Sequence, residues 1–96
     1  MSENVTQGKN TADLAADMSG KVILVTGAAS GLGYADSRML SGLGCQVVMT
    51  DIDEERGQAL AAELGAVFLV QDVADEQRWP QIMTAVDQRY GKLDGL

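Results

Sequence analysis

Ninety-six residues make one small domain and leave no room for a second, and 46% hydrophobic with 22% charged residues is the balance of an ordinary globular chain. Seven basic against fourteen acidic residues give a net charge of −7 with the basic side chains scattered, which excludes the basic stripe that nucleic acid requires. One cysteine, Cys45, and no histidine exclude an internal disulfide and a zinc or copper ligand set; with no signal-peptide run and nothing near the ~18 apolar residues of a membrane span, a cytoplasmic chain is expected.

Residues 1–19 read as a polar N-terminal tail, with Met1 to Asn10 lacking any sustained period and expected to be mobile. Leu14 and Met18, four apart, leave open one helical turn docked on the body or on a second subunit. Residues 20–96 read as the folded unit. Val22-Ile-Leu-Val25 is a continuous β-branched and aliphatic run, the pattern of a strand buried on both faces. Leu32, Ala35, Met39 and Leu43 then recur at helical spacing before Gly44, with Asp36 and Ser37 as departures that would harm packing if they faced a sheet. Val47 to Thr50 forms a second strand, and Asp53 is placed to cap a helix striped by Ala59, Leu60 and Leu64 and closed by Gly65.

Val67 to Val70 is a third strand, and Asp75 can cap a third helix whose Trp79, Met83, Val86 and Tyr90 share one face. Pro80 fits only if that helix begins near it, because proline lacks the donor an interior turn needs. Gly91-Lys92 breaks the helix, and Leu93 to Leu96 looks like the beginning of a fourth strand. The order β-α-β-α-β-α-β implies parallel pairing with right-handed crossovers, hence a doubly wound α/β sheet of Rossmann type that stops at the start of its fourth strand.

Thr26-Gly-Ala-Ala-Ser-Gly-Leu-Gly33 stands directly between the first strand and the first helix. Glycine permits positive φ in the tight turn, and a missing side chain lets backbone approach a pyrophosphate closely, at the positive end of the following helix. Gly27, Gly31 and Gly33 shape this loop; Ser30 and Leu32 are expected to donate backbone N–H groups, with the Ser30 hydroxyl as a further donor. Asp51 is the first acidic residue after the second strand, eighteen positions beyond Gly33 and close to the ~20 that separate a phosphate loop from a ribose-binding carboxylate. A carboxylate there accepts from both adenosine ribose hydroxyls and repels a 2′-phosphate. With no basic residue between Gly27 and Gly33, and none at Ile52, the pattern points to NAD rather than NADP.

This loop resembles the Thr-Gly-x-x-x-Gly-x-Gly fingerprint of the short-chain dehydrogenase/reductase family, whose glycine spacing differs from the commoner G-x-G-x-x-G. The resemblance runs from Gly20 to Leu96 and includes Asp72-Val73 and Gly91-Lys-Leu-Asp-Gly-Leu96. It implies that Asp72 reaches the adenine amino group, that the backbone of Val73 contacts the ring, and that Ile52 borders the cofactor. It further implies hydride transfer between a secondary alcohol and its ketone, and a homo-oligomer in the complete enzyme. The family's active-site asparagine, serine and Tyr-x-x-x-Lys pair have no match: Arg38 stands four residues after Tyr34 and Asp94 four after Tyr90, so no catalytic residue is assigned. The chain is therefore expected to be the NAD-binding part of such an enzyme and inactive by itself, the alternative being a stand-alone nucleotide-binding module.

Overall fold

Strands that are apolar on both faces must be covered from both sides, and the segments between these strands supply the cover. In the computed structural model, which describes residues 18–96, the elements are β1 (Val22–Val25), α1 (Gly31–Gly42), β2 (Gln46–Asp51), α2 (Glu54–Leu64), β3 (Val67–Val70) and α3 (Arg78–Tyr90). β2 lies in the middle and pairs in parallel with both neighbours, from Val22↔Gln46 to Val25↔Met49 on one side and from Val48↔Val67 to Asp51↔Val70 on the other. The expectations for Met1 to Asn10 and for Leu14 lie outside the described residues. Met18 belongs to the body: it packs, partly buried, on the layer containing Cys45 and Val47, and its carbonyl accepts from Lys21 N at 3.0 Å.

Alternation along the strands sorts the side chains into two layers. Val22, Leu24 and Val48 meet Ile82 and Val86 of α3, with Trp79, Met83 and Tyr90 packed around them. On the opposite face Val47 and Met49 meet Ala61 of α2, with Tyr34 and Leu40 of α1 against the same cluster. Helices thus cover both faces, as the doubly wound arrangement requires.

The fourth strand is reduced to one parallel bridge between Ile23 and Gly95. Leu24 N donates to Gly95 O at 3.0 Å and Asp94 N to Val22 O at 2.8 Å, whereas Lys21 O accepts from Gln46 N of β2, so the last residues lie on the edge of β1 away from β2. The sheet order therefore reverses after β3. The Asp94 side chain completes the junction, its Oδ2 accepting from Val22 N at 2.8 Å and pairing with Lys92 Nζ at 3.3 Å.

Three local expectations need correction. In α1 the expected stripe is turned outward: Leu32 is 77% and Met39 59% exposed, and Ser37 is the buried position. The rotation follows from Gly33, which is pressed against the loop and draws residues 37 and 40 inward with it. Burying Ser37 does no harm, because its Oγ donates to Gly33 O at 2.9 Å within the same helix. In α2, Ala59 is exposed while Gly57 and Ala61 are buried, because the Phe68 ring occupies the space a side chain at 57 would need. Asp53 does cap α2, accepting from Arg56 N at 3.1 Å. Asp75 instead closes the turn before α3, accepting from Gln77 N at 3.1 Å, and the helix starts at Arg78 so that Pro80 falls in the first turn, where its missing donor costs no hydrogen bond.

Ile82 is 1% exposed between α3 and the sheet, and Ile82→Ala is expected to lower stability by about 2–5 kcal/mol through lost transfer energy and the cavity left behind, read by chemical denaturation. The Val22 N–H, with a smaller contribution from Lys92, holds the Asp94 carboxyl below its ordinary value of 3.8. A group whose pKa falls on folding stabilises above its unfolded pKa, and that stabilisation is lost as the pH falls through the folded value. Acidification from about pH 5 towards 2 is thus expected to destabilise the wild type more than Asp94→Asn; parallel unfolding curves for the two would count against this junction.

Candidate functional site

Parallel strands finish at the same end, so every strand-to-helix turn of this sheet falls on one edge. After β1, Gly27 takes φ +62°, a conformation that a Cβ disfavours, and reverses the chain. Ala28 N then donates to Thr50 O at 2.9 Å and ties the loop to β2. At Gly33 a Cβ would run into the Gly27 carbonyl oxygen and lie 2.8 Å from the Gly27 carbonyl carbon, so only glycine lets the first turn of α1 rest on the loop. At Gly31 a Cβ would meet nothing within 4 Å. That open flank is the approach that a phosphate would use.

No side chain caps α1 and no acidic residue stands in its first turn, which leaves the positive end of the helix and the amides of Gly31, Leu32 and Gly33 for an external anion. Ser30 is bonded within the loop itself. Its N–H donates to Gly27 O at 3.1 Å and its hydroxyl to the same oxygen at 2.7 Å, because the turn at Gly27 brings that carbonyl over residue 30.

Asp51 ends β2 and is half-buried, with Oδ2 accepting from Ala29 N at 2.9 Å and Oδ1 from Asp53 N at 3.0 Å. An ionised carboxylate offers about four lone-pair sites, so two remain for ribose hydroxyls. A cavity of about 160 Å³ at this edge is lined by Gly27, Asp51, Ile52, Gln71, Asp72 and Val73. Five residues singled out from the sequence thus meet at one small site. Ile52 and Val73 are 68% and 54% exposed and present apolar surface to it, as a flat aromatic ring would require. Asp72 is partly committed to its own turn, Oδ1 accepting from Ala74 N at 2.9 Å. A larger cleft of about 340 Å³ between β3 and α3 is lined by Val48, Val67, Leu69 and Val86 together with Gln88, Arg89 and Tyr90, and includes none of the residues of the glycine-rich loop or of the Asp51 turn.

Two contributors escape a reading of the sequence alone. Arg56 donates through Nε to Ala29 O at 2.8 Å, so a cation does touch the loop although none lies within it. The signal was the two-residue connection between β2 and α2, which returns the first turn of α2 to the same edge. Gln71 lines the cavity while only 3% exposed; its sheet alternation with Val67 and Leu69 marks it as inward-facing. The two tyrosines stand apart from this chemistry. Tyr34 Oη donates to Glu63 Oε1 at 2.9 Å, and that hydrogen bond above all pushes the phenol up from its ordinary value, the opposite of what a general base needs. Tyr90 Oη accepts from Arg89 Nε at 3.3 Å at the C-terminal end of α3. Among the described residues, no cluster of potential ligands suits a metal ion and no helix is long and apolar enough to cross a membrane.

A parallel sheet with its order reversed beside β1, a glycine loop opening the first helix and an acid ending the second strand together define the nucleotide-binding half of a Rossmann fold. Residues 21–96 match the family model described as short chain dehydrogenase, and the chain belongs to that family. It is 47% identical over 81 residues to a 3-beta-hydroxysteroid dehydrogenase of Comamonas testosteroni, covering 82% of this chain and 32% of that protein. It is 45% identical over 76 residues to an L-fucose dehydrogenase of Oryctolagus cuniculus, covering 78% and 27% respectively. Among solved structures, a short-chain dehydrogenase/reductase from Burkholderia phymatum in complex with NAD superposes with a TM-score of 0.75 at 30% identity, over 79% of this chain and 29% of that one. A 3-ketoacyl-(acyl-carrier-protein) reductase from Brucella melitensis complexed with NADH gives 0.76 at 30% identity, over 80% and 32%. The chain thus spans about a third of the length of these relatives.

The glycines separate folding from binding. Gly31→Val is expected to fold and to lose affinity for nucleotide phosphate, whereas Gly33→Ala is expected to cost about 1–3 kcal/mol of stability because backbone must move to admit the methyl group. Thermal melts beside calorimetric titration with ADP distinguish them, and full ADP affinity in folded Gly31→Val would move the phosphate site elsewhere.

Proposed function

We propose that the chain is the NAD-binding part of a dehydrogenase that oxidises a secondary alcohol to its ketone, or runs the reverse, by hydride transfer. The observation that carries the reading is the convergence of Gly27, Asp51, Ile52, Asp72 and Val73 on one cavity beside the open flank of Gly31. The residues present suit the dinucleotide: α1 and the loop offer amides to the pyrophosphate, Asp51 retains acceptor capacity for ribose hydroxyls, and Asp72 and Val73 border the adenine position. The Asp51 carboxylate also repels a 2′-phosphate, which favours NAD over NADP. Support comes from two structural neighbours, one in complex with NAD and one with NADH, and from the hydroxyl-bearing compounds for which the two relatives are named.

When bound, NAD supplies the hydride acceptor. This chain's own part is to bind and orient it. The proton of the alcohol needs a base, and neither Tyr34 nor Tyr90 has the lysine four residues on that the family's catalytic tyrosine pairs with. The 96 residues alone are accordingly expected to bind adenosine nucleotides without oxidising alcohols. The substrate class, the association of the complete enzyme into homo-oligomers and its location in the cytoplasm remain parts of the same proposal.

Asp51→Ala is expected to weaken NAD binding about ten- to a hundredfold, the value of a charge-assisted hydrogen bond of ~1.5–3 kcal/mol. Titration with NAD and NADP checks this alongside a thermal melt. A wild type that prefers NADP would refute the cofactor assignment, and turnover by the purified 96 residues would refute the division of labour.

A further inference from the structure

Both polar groups of the peptide that joins Val73 to Ala74 are held. Its N–H, on Ala74, donates to Asp72 Oδ1 at 2.9 Å, and its carbonyl, on Val73, accepts from Trp79 Nε1 at 3.3 Å. The two anchors differ in kind. Asp72 belongs to the turn itself, whereas Trp79 stands in the first turn of α3 and packs against the core cluster that contains Leu24, Val48 and Ile82. One residue earlier, Arg78 Nε donates to Val70 O at 2.9 Å, so the start of α3 grips the chain on both sides of Asp72. Val73 lines the cavity beside Asp51, and its own N–H donates to nothing among the described residues.

We propose that Trp79 is a positioning residue for the base: through the Val73 carbonyl its indole N–H fixes the turn, so that the Asp72 carboxylate and the Val73 N–H meet a purine edge together and select adenine over hypoxanthine. The inference rests on the reading in which Asp72 and Val73 border the adenine. Trp79 is itself outside that cavity and acts only through Val73. A 6-amino group donates and the ring nitrogen next to it accepts, which matches a carboxylate beside an N–H. A 6-oxo group and its protonated neighbour present the reverse, an acceptor towards the carboxylate and a donor towards the N–H. The distinction requires the two recognition groups to be held at one spacing. Asp72 commits Oδ1 to Ala74 and keeps Oδ2, so its carboxylate turns with the same peptide that Trp79 holds. Without the indole the turn would have to be ordered when the base binds, and that ordering opposes affinity.

ADP and inosine 5′-diphosphate are the probes, titrated calorimetrically into wild type and Trp79→Phe, with melts to establish folding. Phenylalanine keeps an aromatic ring on the core and removes the donor. Wild type is expected to favour ADP, and Trp79→Phe to reduce the ratio of the two affinities about three- to tenfold, the value of one hydrogen bond. A role confined to packing would weaken both probes alike, and an unchanged ratio in folded Trp79→Phe overturns the proposal. Should that variant not fold, replacing Trp79, the chain's single tryptophan, by β-(3-benzothienyl)alanine decides, because sulfur then takes the place of the N–H in a ring of the same outline. The same fall in the ratio is expected there, and no fall overturns the proposal. A wild type that binds the two diphosphates equally removes the adenine assignment of Asp72 and Val73, and one that binds neither removes the nucleotide reading; this inference falls in both cases. An ADP preference that survives loss of the indole N–H overturns this inference alone.

Discussion

The contact between Gly33 and the carbonyl of Gly27 sets the geometry on which the rest depends. It presses the first turn of α1 onto the loop that follows β1, and so fixes both where the helix begins and how it is rotated about its axis. The amides of that first turn are thereby left facing a space that no side chain fills. The same rotation brings Ser37 inward, where its hydroxyl is satisfied by Gly33 O, and carries Leu32 and Met39 outward.

A loop of this kind, rich in glycine, is costly to hold in one conformation because glycine loses the most freedom on ordering. The surrounding structure bears that cost through a small number of directed bonds. Ala28 N is held by Thr50 O, Ala29 N by Asp51, and Ala29 O by Arg56. Each partner lies on β2 or on the turn of α2 next to it. The loop's shape is thus imposed by the neighbouring strand, and any ligand would find its amides already arranged.

The same bonds make Asp51 both a structural group and a candidate recognition group. Its two oxygens serve the loop and the turn at Asp53 while retaining lone pairs on the cavity side. Binding and local order are therefore coupled at this residue. The opposite edge of β1 is closed differently, by the Asp94 carboxylate on the Val22 N–H, which places the last residues beside β1 and creates the reversal of strand order at which ligands bind in such sheets.

Much of this was readable from residue types and spacing. The apolar runs at Val22, Val47 and Val67 read as strands, alternation with helices implies parallel pairing, and a Gly-x-x-x-Gly-x-Gly turn after the first strand suits close approach to a phosphate. Asp51 and Asp72 were recognisable because a parallel sheet delivers the end of every strand to the same edge. The facing of α1 was not readable, since its apolar spacing suggested one side and a glycine contact with no hydrophobic signature chose another. Nor was the bond of the Ser30 hydroxyl back to Gly27 O, or the reach of Arg56 to Ala29 across 27 positions of sequence. Periodicity reports which residues prefer burial. Which of them achieve it, and which charges become neighbours, was decided by backbone contacts between segments far apart in the chain, and those exist only once the sheet has formed.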